Sequence, residues 1–283
     1  MFRTDAKRQF TLLGYFLFLI PVFAIFSSVS QGQVALNFND TTPTLETGVA
    51  LSAGARYRFD NVAPGTDALV TIASINGGAI LDDLDDNATG DANRFQPRIR
   101  TNTANSTGWV RFDFQLVATG TSTLRAVPGV LISAQDIDAN PVREFVEIVN
   151  TQAVTVASPT LLVSLSALAG GTRYGFQNFT GFQTGIGTDN RYEMYTSLAN
   201  TATSFTIIGG SDVGATACVG TSTTDTCSRR HSYVFDPASS NATSPNPNVS
   251  ITKTGPASVN IGGSVSYTLV ATNNGTTTAH GST

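Results

Sequence analysis

Charge is scarce in this chain. Asp, Glu, Lys and Arg make up 13% of its 283 residues, and Lys7 and Lys253 are its lysines. No basic run is interleaved with aromatic residues, so the electrostatic footprint of a nucleic-acid partner is missing. Histidine is limited to His231 and His280. A Ser-His-Asp arrangement would have to use His231, which follows Arg229 and Arg230 directly. No nucleophile elbow and no metalloprotease motif occurs. These gaps count against an enzyme. A glycosidase, which needs only paired carboxylates, is the catalytic class they leave open. Amphipathic helices of several turns are also missing, and Leu161–Leu168 is the one run whose periodicity fits either helix or strand.

Cysteine is nearly absent: Cys218 and Cys227 share one Gly/Thr/Ser-rich loop. In an exported chain a local disulfide is the expected use of such a pair. Closing so short a loop stabilises by about 2–3 kcal/mol in the chain-entropy model. A metal site there has little support, since His231 is the nearest imidazole and no second cysteine pair exists.

The chain does hold apolar residues (41%) and abundant Gly, Thr, Ser and Asn, with a formal charge of −4. That balance suits a cation or a neutral glycan as partner. The N-terminus sets the compartment. Arg3, Lys7 and Arg8 precede an apolar run, Leu12–Phe26, which ends in Ser27-Ser28-Val29-Ser30-Gln31-Gly32. Small residues at Ser28 and Ser30 fit cleavage after Ser30 or a few residues later, so residues 1–33 are read as a signal peptide. The apolar run is short for a spanning helix, and an uncleaved N-terminal anchor is the alternative. The expected location is extracellular or at the cell surface, with the membrane involved only through export or anchoring.

Between residues 34 and 236 the pattern is that of short strands and turns. Val110, Phe112, Phe114 and Leu116 alternate with Arg111, Asp113 and Gln115, the period of a half-buried strand. Further strand-like runs lie at Val34–Phe38, Arg56–Val62, Ala68–Ile75, Phe95–Arg100, Val130–Ala134, Phe145–Val149, Val154–Val156, Leu161–Leu165, Arg173–Phe179, Tyr192–Leu198, Ser204–Ile208 and Ser232–Phe235. The fold class expected is all-β, an antiparallel sandwich or jelly roll. In strand pattern and acidic loops this region loosely resembles the lectin-like jelly-roll domains of bacterial adhesins.

Residues 237–248 carry Pro237, Ser239, Ser240, Thr243, Ser244, Pro245 and Pro247, the composition of an extended linker. Beyond it runs Asn248-Val-Ser-Ile-Thr-Lys253-Thr-Gly255-Pro256, then Gly262-Gly263, then Tyr267 and Asn273-Asn274-Gly275. Residues 249–283 resemble the start of the bacterial surface repeat known as domain of unknown function 11. The resemblance implies an immunoglobulin-like module of the kind found in tandem on exported bacterial proteins. The chain stops at Thr283, before the later strands of that repeat, so the module is expected to be partial here and the chain a fragment.

Two acidic stretches invite a cation. Asp136, Asp138 and Asn140 fall at positions one, three and five of a calcium loop, with Glu144 at nine and Glu147 at twelve. Oxygen ligands two apart on a tight turn can converge on one hard cation, but Pro141 stands where glycine normally makes the turn. A solvated acidic turn is the alternative. The second stretch carries Asp82, Asp83, Asp85, Asp86 and Asp91, with Asp83, Asp85 and Asn87 as candidate calcium ligands. Five carboxylates so close repel unless bridged or solvated. Ala88 replaces the expected glycine and Arg94 the expected bidentate Glu, so an exposed acidic loop is the alternative. Calcium is the one cofactor these patterns admit.

Trp109, the single tryptophan, points opposite to Phe112 and Phe114. It is either a platform for a sugar ring or packed under a loop or second sheet. The reading that follows is an exported surface protein with a structural or adhesive role, its partner a cell-surface glycan or protein. The alternative is a carbohydrate-binding module or part of an extracellular glycan-active enzyme.

Overall fold

The structure is a computed structural model describing residues 33–39, 42–86, 92–181, 185–199, 201–215, 227–236, 249–256, 264 and 266–273. Residues 1–32 of the signal-peptide segment and the whole linker lie outside these residues.

Strands β1 (Thr44–Thr47), β2 (Arg56–Ala63) and β3 (Thr66–Asn76) form a meander, followed by β4 (Ala79–Asp83) and β5 (Arg98–Thr101). Next come β6 (Thr107–Ala118), β7 (Val127–Pro128), β8 (Leu131–Gln135) and β9 (Arg143–Val149). The chain continues through β10 (Ala153–Val156), β11 (Leu162–Leu165), β12 (Thr172–Phe176), β13 (Met194–Ser197) and β14 (Thr201–Ala202). It returns through β15 (Ser204–Asp212), β16 (Ser228–Arg230) and β17 (Ser232–Val234), and ends in β18 (Val249–Thr254) and β19 (Thr268–Asn273).

An eight-stranded sheet, ordered β1-β2-β3-β6-β15-β9-β12-β11, faces a four-stranded sheet, β10-β13-β8-β17, and a three-stranded one, β16-β5-β4. All pairings are antiparallel. The all-β sandwich expected from the alternation is what the chain forms. Leu161–Leu168 resolves as strand β11 followed by a loop. Val34–Phe38 contributes only the isolated bridge Leu36–Phe235 instead of a full strand. Leu81–Asp83, read as the start of an acidic loop, belong to strand β4.

The inward face of β6 carries Val110, Phe112, Phe114 and Leu116, all buried. Phe95 stands edge-on to both Phe112 and Phe114 at 5.2 Å, and Phe114 stacks on Phe205 of β15 at 4.6 Å. Phe38 and Phe235 close the cluster at 4.9 Å. Each fully buried phenyl contributes about 1.5–3 kcal/mol of apolar transfer. The core thus spans the chain from Leu36 to Phe235.

The β18–β19 hairpin is register-paired from Val249–Asn273 to Thr254–Thr268. Tyr267 lies so close over Gly255 that a Cβ there would sit 2.4 Å from the ring, and Lys253 Nζ lies 3.9 Å from the ring centre.

Candidate functional site

Strand alternation decides what the first acidic stretch does. Glu144 and Glu147 are three residues apart on β9, so they lie on opposite faces of the eight-stranded sheet. The expectation that Asp136, Asp138, Asn140, Glu144 and Glu147 converge is therefore corrected. Glu144 turns into the core with Asp136 and Asp138. Glu147 turns outward and accepts the backbone N–H groups of Leu168, Ala169 and Gly171 at 2.5, 2.8 and 2.8 Å, capping the loop between β11 and β12. Asn140 donates its backbone N–H to Val142 in the turn.

The guanidinium of Arg229, on β16, sits among the three inward carboxylates. Its Nε donates to Glu144 Oε1 at 2.6 Å and a terminal nitrogen donates to Asp138. Glu144 and Asp138 also cross-link by backbone: Glu144 N donates to Asp138 O at 2.9 Å, and Asp138 N to Glu144 Oε2 at 3.2 Å. Asp136 has a left-handed backbone (φ 60°) and accepts from Gly187 N at 3.0 Å. Burial, reinforced by the charges of Glu144 and Asp138, pushes its carboxyl up to about 8, so it is protonated at neutral pH. Burial also raises Glu144, against the pull of Arg229. His231 packs alongside, driven down to about 3 by burial and by Arg229, and stacks at 6.4 Å on Tyr233, whose phenol burial raises. Negative charge in this cluster is partly offset by an arginine of the chain itself. Among the described residues no group of three acidic, His or Cys side chains is arranged to hold a metal.

The second acidic stretch follows the same rule. Asp82 accepts a bidentate pair from Arg100 at 3.0 and 2.8 Å and a hydroxyl from Ser228 at 2.9 Å. Asp86 takes Arg98 at 2.9 Å and Arg230 at 2.6 Å. Asp85 accepts from Gln96 N at 2.7 Å, while Asp83 accepts from Asp85 N at 3.2 Å and lies 3.7 Å from Arg98. Arginines on β5 and β16 thus meet the carboxylates of β4 and its loop. Asn87 lies outside the described residues. So does Cys218, whereas Cys227 is buried against Val142 and Val213.

The outer face of the eight-stranded sheet is arranged differently. Alternation on β6 turns Trp109, Arg111, Asp113 and Gln115 outward, as their spacing predicts. Trp109 is half-buried on this face and shares no side with the phenylalanine core. In register, β15 sets Ser204 beside Gln115 and Thr206 beside Asp113, and β3 sets Thr71 beside Asp113. The register of β3 then slips between Ile72 and Ser74, a bulge that puts Ser74 and Asn76 opposite Arg111 and Trp109. Asp113 Oδ1 accepts from Arg111 Nε at 2.8 Å and from Thr206 Oγ1 at 2.7 Å. Of these groups Thr71, Arg111, Asp113, Gln115, Ser204 and Thr206, together with Asn150, Phe114 and Phe205, line a cleft of about 360 Å³, and Trp109 lies on the same face outside that lining. Chemically it offers one ion pair, hydroxyls and amides, open to solvent.

No family model matches the chain, including the segment that resembles the start of a surface repeat. No curated protein matches either. Among solved structures, the N-terminal domain of the Streptococcus gordonii adhesin Sgo0707 is similar at 12% identity and a TM-score of 0.42. The match spans 78% of this chain and 63% of that one.

Proposed function

We propose that this chain is an exported bacterial surface protein with an adhesive role, which binds its ligand through the outer-face cleft of the eight-stranded sheet. The observation that carries the reading is the contrast between the two sets of polar groups. The carboxylates of the two acidic stretches are tied to arginines or backbone N–H groups, whereas the Arg111–Asp113 pair sits in an open cleft among hydroxyls and amides. Binding sites need converging polar groups on a rigid scaffold, and a sheet face supplies one. The N-terminal leader supports export, and the β18–β19 hairpin, with its Lys253 and Tyr267, supports an immunoglobulin-like stalk beginning after residue 248. The same reading includes a Cys218–Cys227 bridge, supported by the burial of Cys227. Mass spectrometry without reductant is expected to find that pair joined in exported protein, and two free thiols would sink the bridge.

Saturable binding of the purified chain to immobilised polysaccharides, mucin or matrix proteins tests the adhesive role. Arg111→Gln is expected to abolish that binding without changing the melting temperature. Hydrolysis of a polysaccharide that depends on a carboxylate of this chain would replace the reading with the enzymatic one.

A further inference from the structure

We propose that the outer-face cleft takes an uncharged oligosaccharide, laid along β6 with one ring against Trp109 and the hydroxyls of its neighbours on Arg111 and Asp113. This rests on the reading that the cleft is the ligand site, and it names the ligand's chemistry.

Three observations point to a neutral sugar. The first is charge. Arg111 and Asp113 neutralise each other at 2.8 Å, and the remaining polar lining groups are hydroxyls and amides. An anionic glycan would find the arginine already paired, and nothing here steers ions. The second is the donor and acceptor pattern. Asp113 Oδ1 is held by Arg111 and Thr206, and Oδ2 has no partner among the described residues. Arg111 uses Nε for the pair and keeps its terminal nitrogens as donors. A fixed acceptor beside fixed donors matches adjacent hydroxyls of a sugar, which donate and accept at once. Holding the pair in place beforehand lowers the ordering cost of binding.

The third is the indole. Outward residues on a strand are about 7 Å apart, so Trp109 lies one step from Arg111 and roughly 13 Å from Asp113. That length accommodates a short run of linked rings. Trp109 is held where it is by Gly210, its register partner, since a Cβ on Gly210 would lie 2.7 Å from Trp109 Cβ. A ring with an apolar face and a polar rim packs on an indole in this way.

The test immobilises dextran, mannan, galactan, sialylated mucin, heparin, collagen and fibronectin and measures binding of the purified chain. Saturable binding to a neutral polysaccharide or to mucin is expected. It should vanish after periodate cleaves the carbon–carbon bonds between adjacent hydroxyl-bearing carbons of the immobilised sugar, survive sialidase treatment, and change little with salt. Asp113→Asn and Trp109→Ala should each weaken it about tenfold or more at unchanged melting temperature, the first by weakening a charge-assisted hydrogen bond and the second by removing the packing face. Binding to collagen or fibronectin that resists periodate, binding that tracks sialic acid or sulfate, or Asp113→Asn binding like the parent would overturn the neutral-sugar assignment. Each of these leaves the adhesive reading standing. Failure to bind any of the surfaces overturns both.

Discussion

Removing the Arg229 guanidinium would leave Asp138 and Glu144 buried without their counter-ion. Arg229→Met is expected to cost about 3–5 kcal/mol in urea unfolding, the usual penalty for breaking a buried pair from one side. Adding Asp138→Asn and Glu144→Gln should recover much of the loss. Two neighbours of that cluster set the pH response. Asp136 ordinarily titrates at 3.8 and is raised to about 8, so between those values the folded state holds a proton that the unfolded state lacks. Its contribution therefore falls as pH rises from about 4 to 8. His231 ordinarily titrates at 6.5 and is lowered to about 3, so there the unfolded state binds the extra proton and stability falls as pH drops through that window. The slopes cancel between about pH 4 and 6.5. Asp136→Asn should remove the decline from pH 6.5 to 8, and His231→Gln should remove the loss below pH 4. Chemical denaturation across pH checks both, and a wild-type profile that climbs from pH 6.5 to 8 would refute the Asp136 part. The Asp-x-Asp-x-Asn spacing was legible in sequence, whereas the calcium-loop reading set Glu144 and Glu147 on one site and passed over the strand alternation that turns residues three apart to opposite faces. Arg229 was not legible in that role. It lies 91 positions from Asp138, and local spacing carries no information about which distant strand will supply a counter-ion.

Among the elements, β15 is closely hemmed in by its neighbours. A Cβ on Gly210 would lie 2.3 Å from Gly108 O and 2.7 Å from the tip of Phe145. Gly210→Ala is therefore expected to push β15 away from β6, at a cost of about 1–3 kcal/mol. Because Trp109 is the single tryptophan, its emission should shift in the same variant. The β18–β19 hairpin sits at the other extreme. Ile251 is 71% exposed, Leu269 67% and Val270 50%. Two strands without a buried face are marginal in water. Deleting residues 237–283 should leave the unfolding midpoint of the sandwich unchanged, and a fall of several degrees would contradict this. The strictly alternating β6 and the apolar run of β3 were readable to within about three residues. The short β4 and β16 were hidden, because their outward Asp and Arg side chains read as loop until the ion pairs between them are seen.

For the whole molecule, the fold class followed from strand periodicity and turn residues, but the strand order did not. β15 lies between β6 and β9 although about half of the domain separates it from β6 in sequence, and its pairing depends on contacts that no local window contains. The cleft is the product of that order. Arg111 and Asp113 were visible as outward residues, while Thr206 and Asn150 arrive from other strands and turns. Positive charge in the sandwich is carried by arginine, because residues 34–252 contain no lysine. Chemistry that couples to primary amines on side chains therefore has no foothold on the sandwich, and meets its first at Lys253, on the hairpin beyond it. A bead or sensor surface activated for amines would hold the molecule by that end or by its N-terminal amine, leaving the strands of the sandwich chemically untouched.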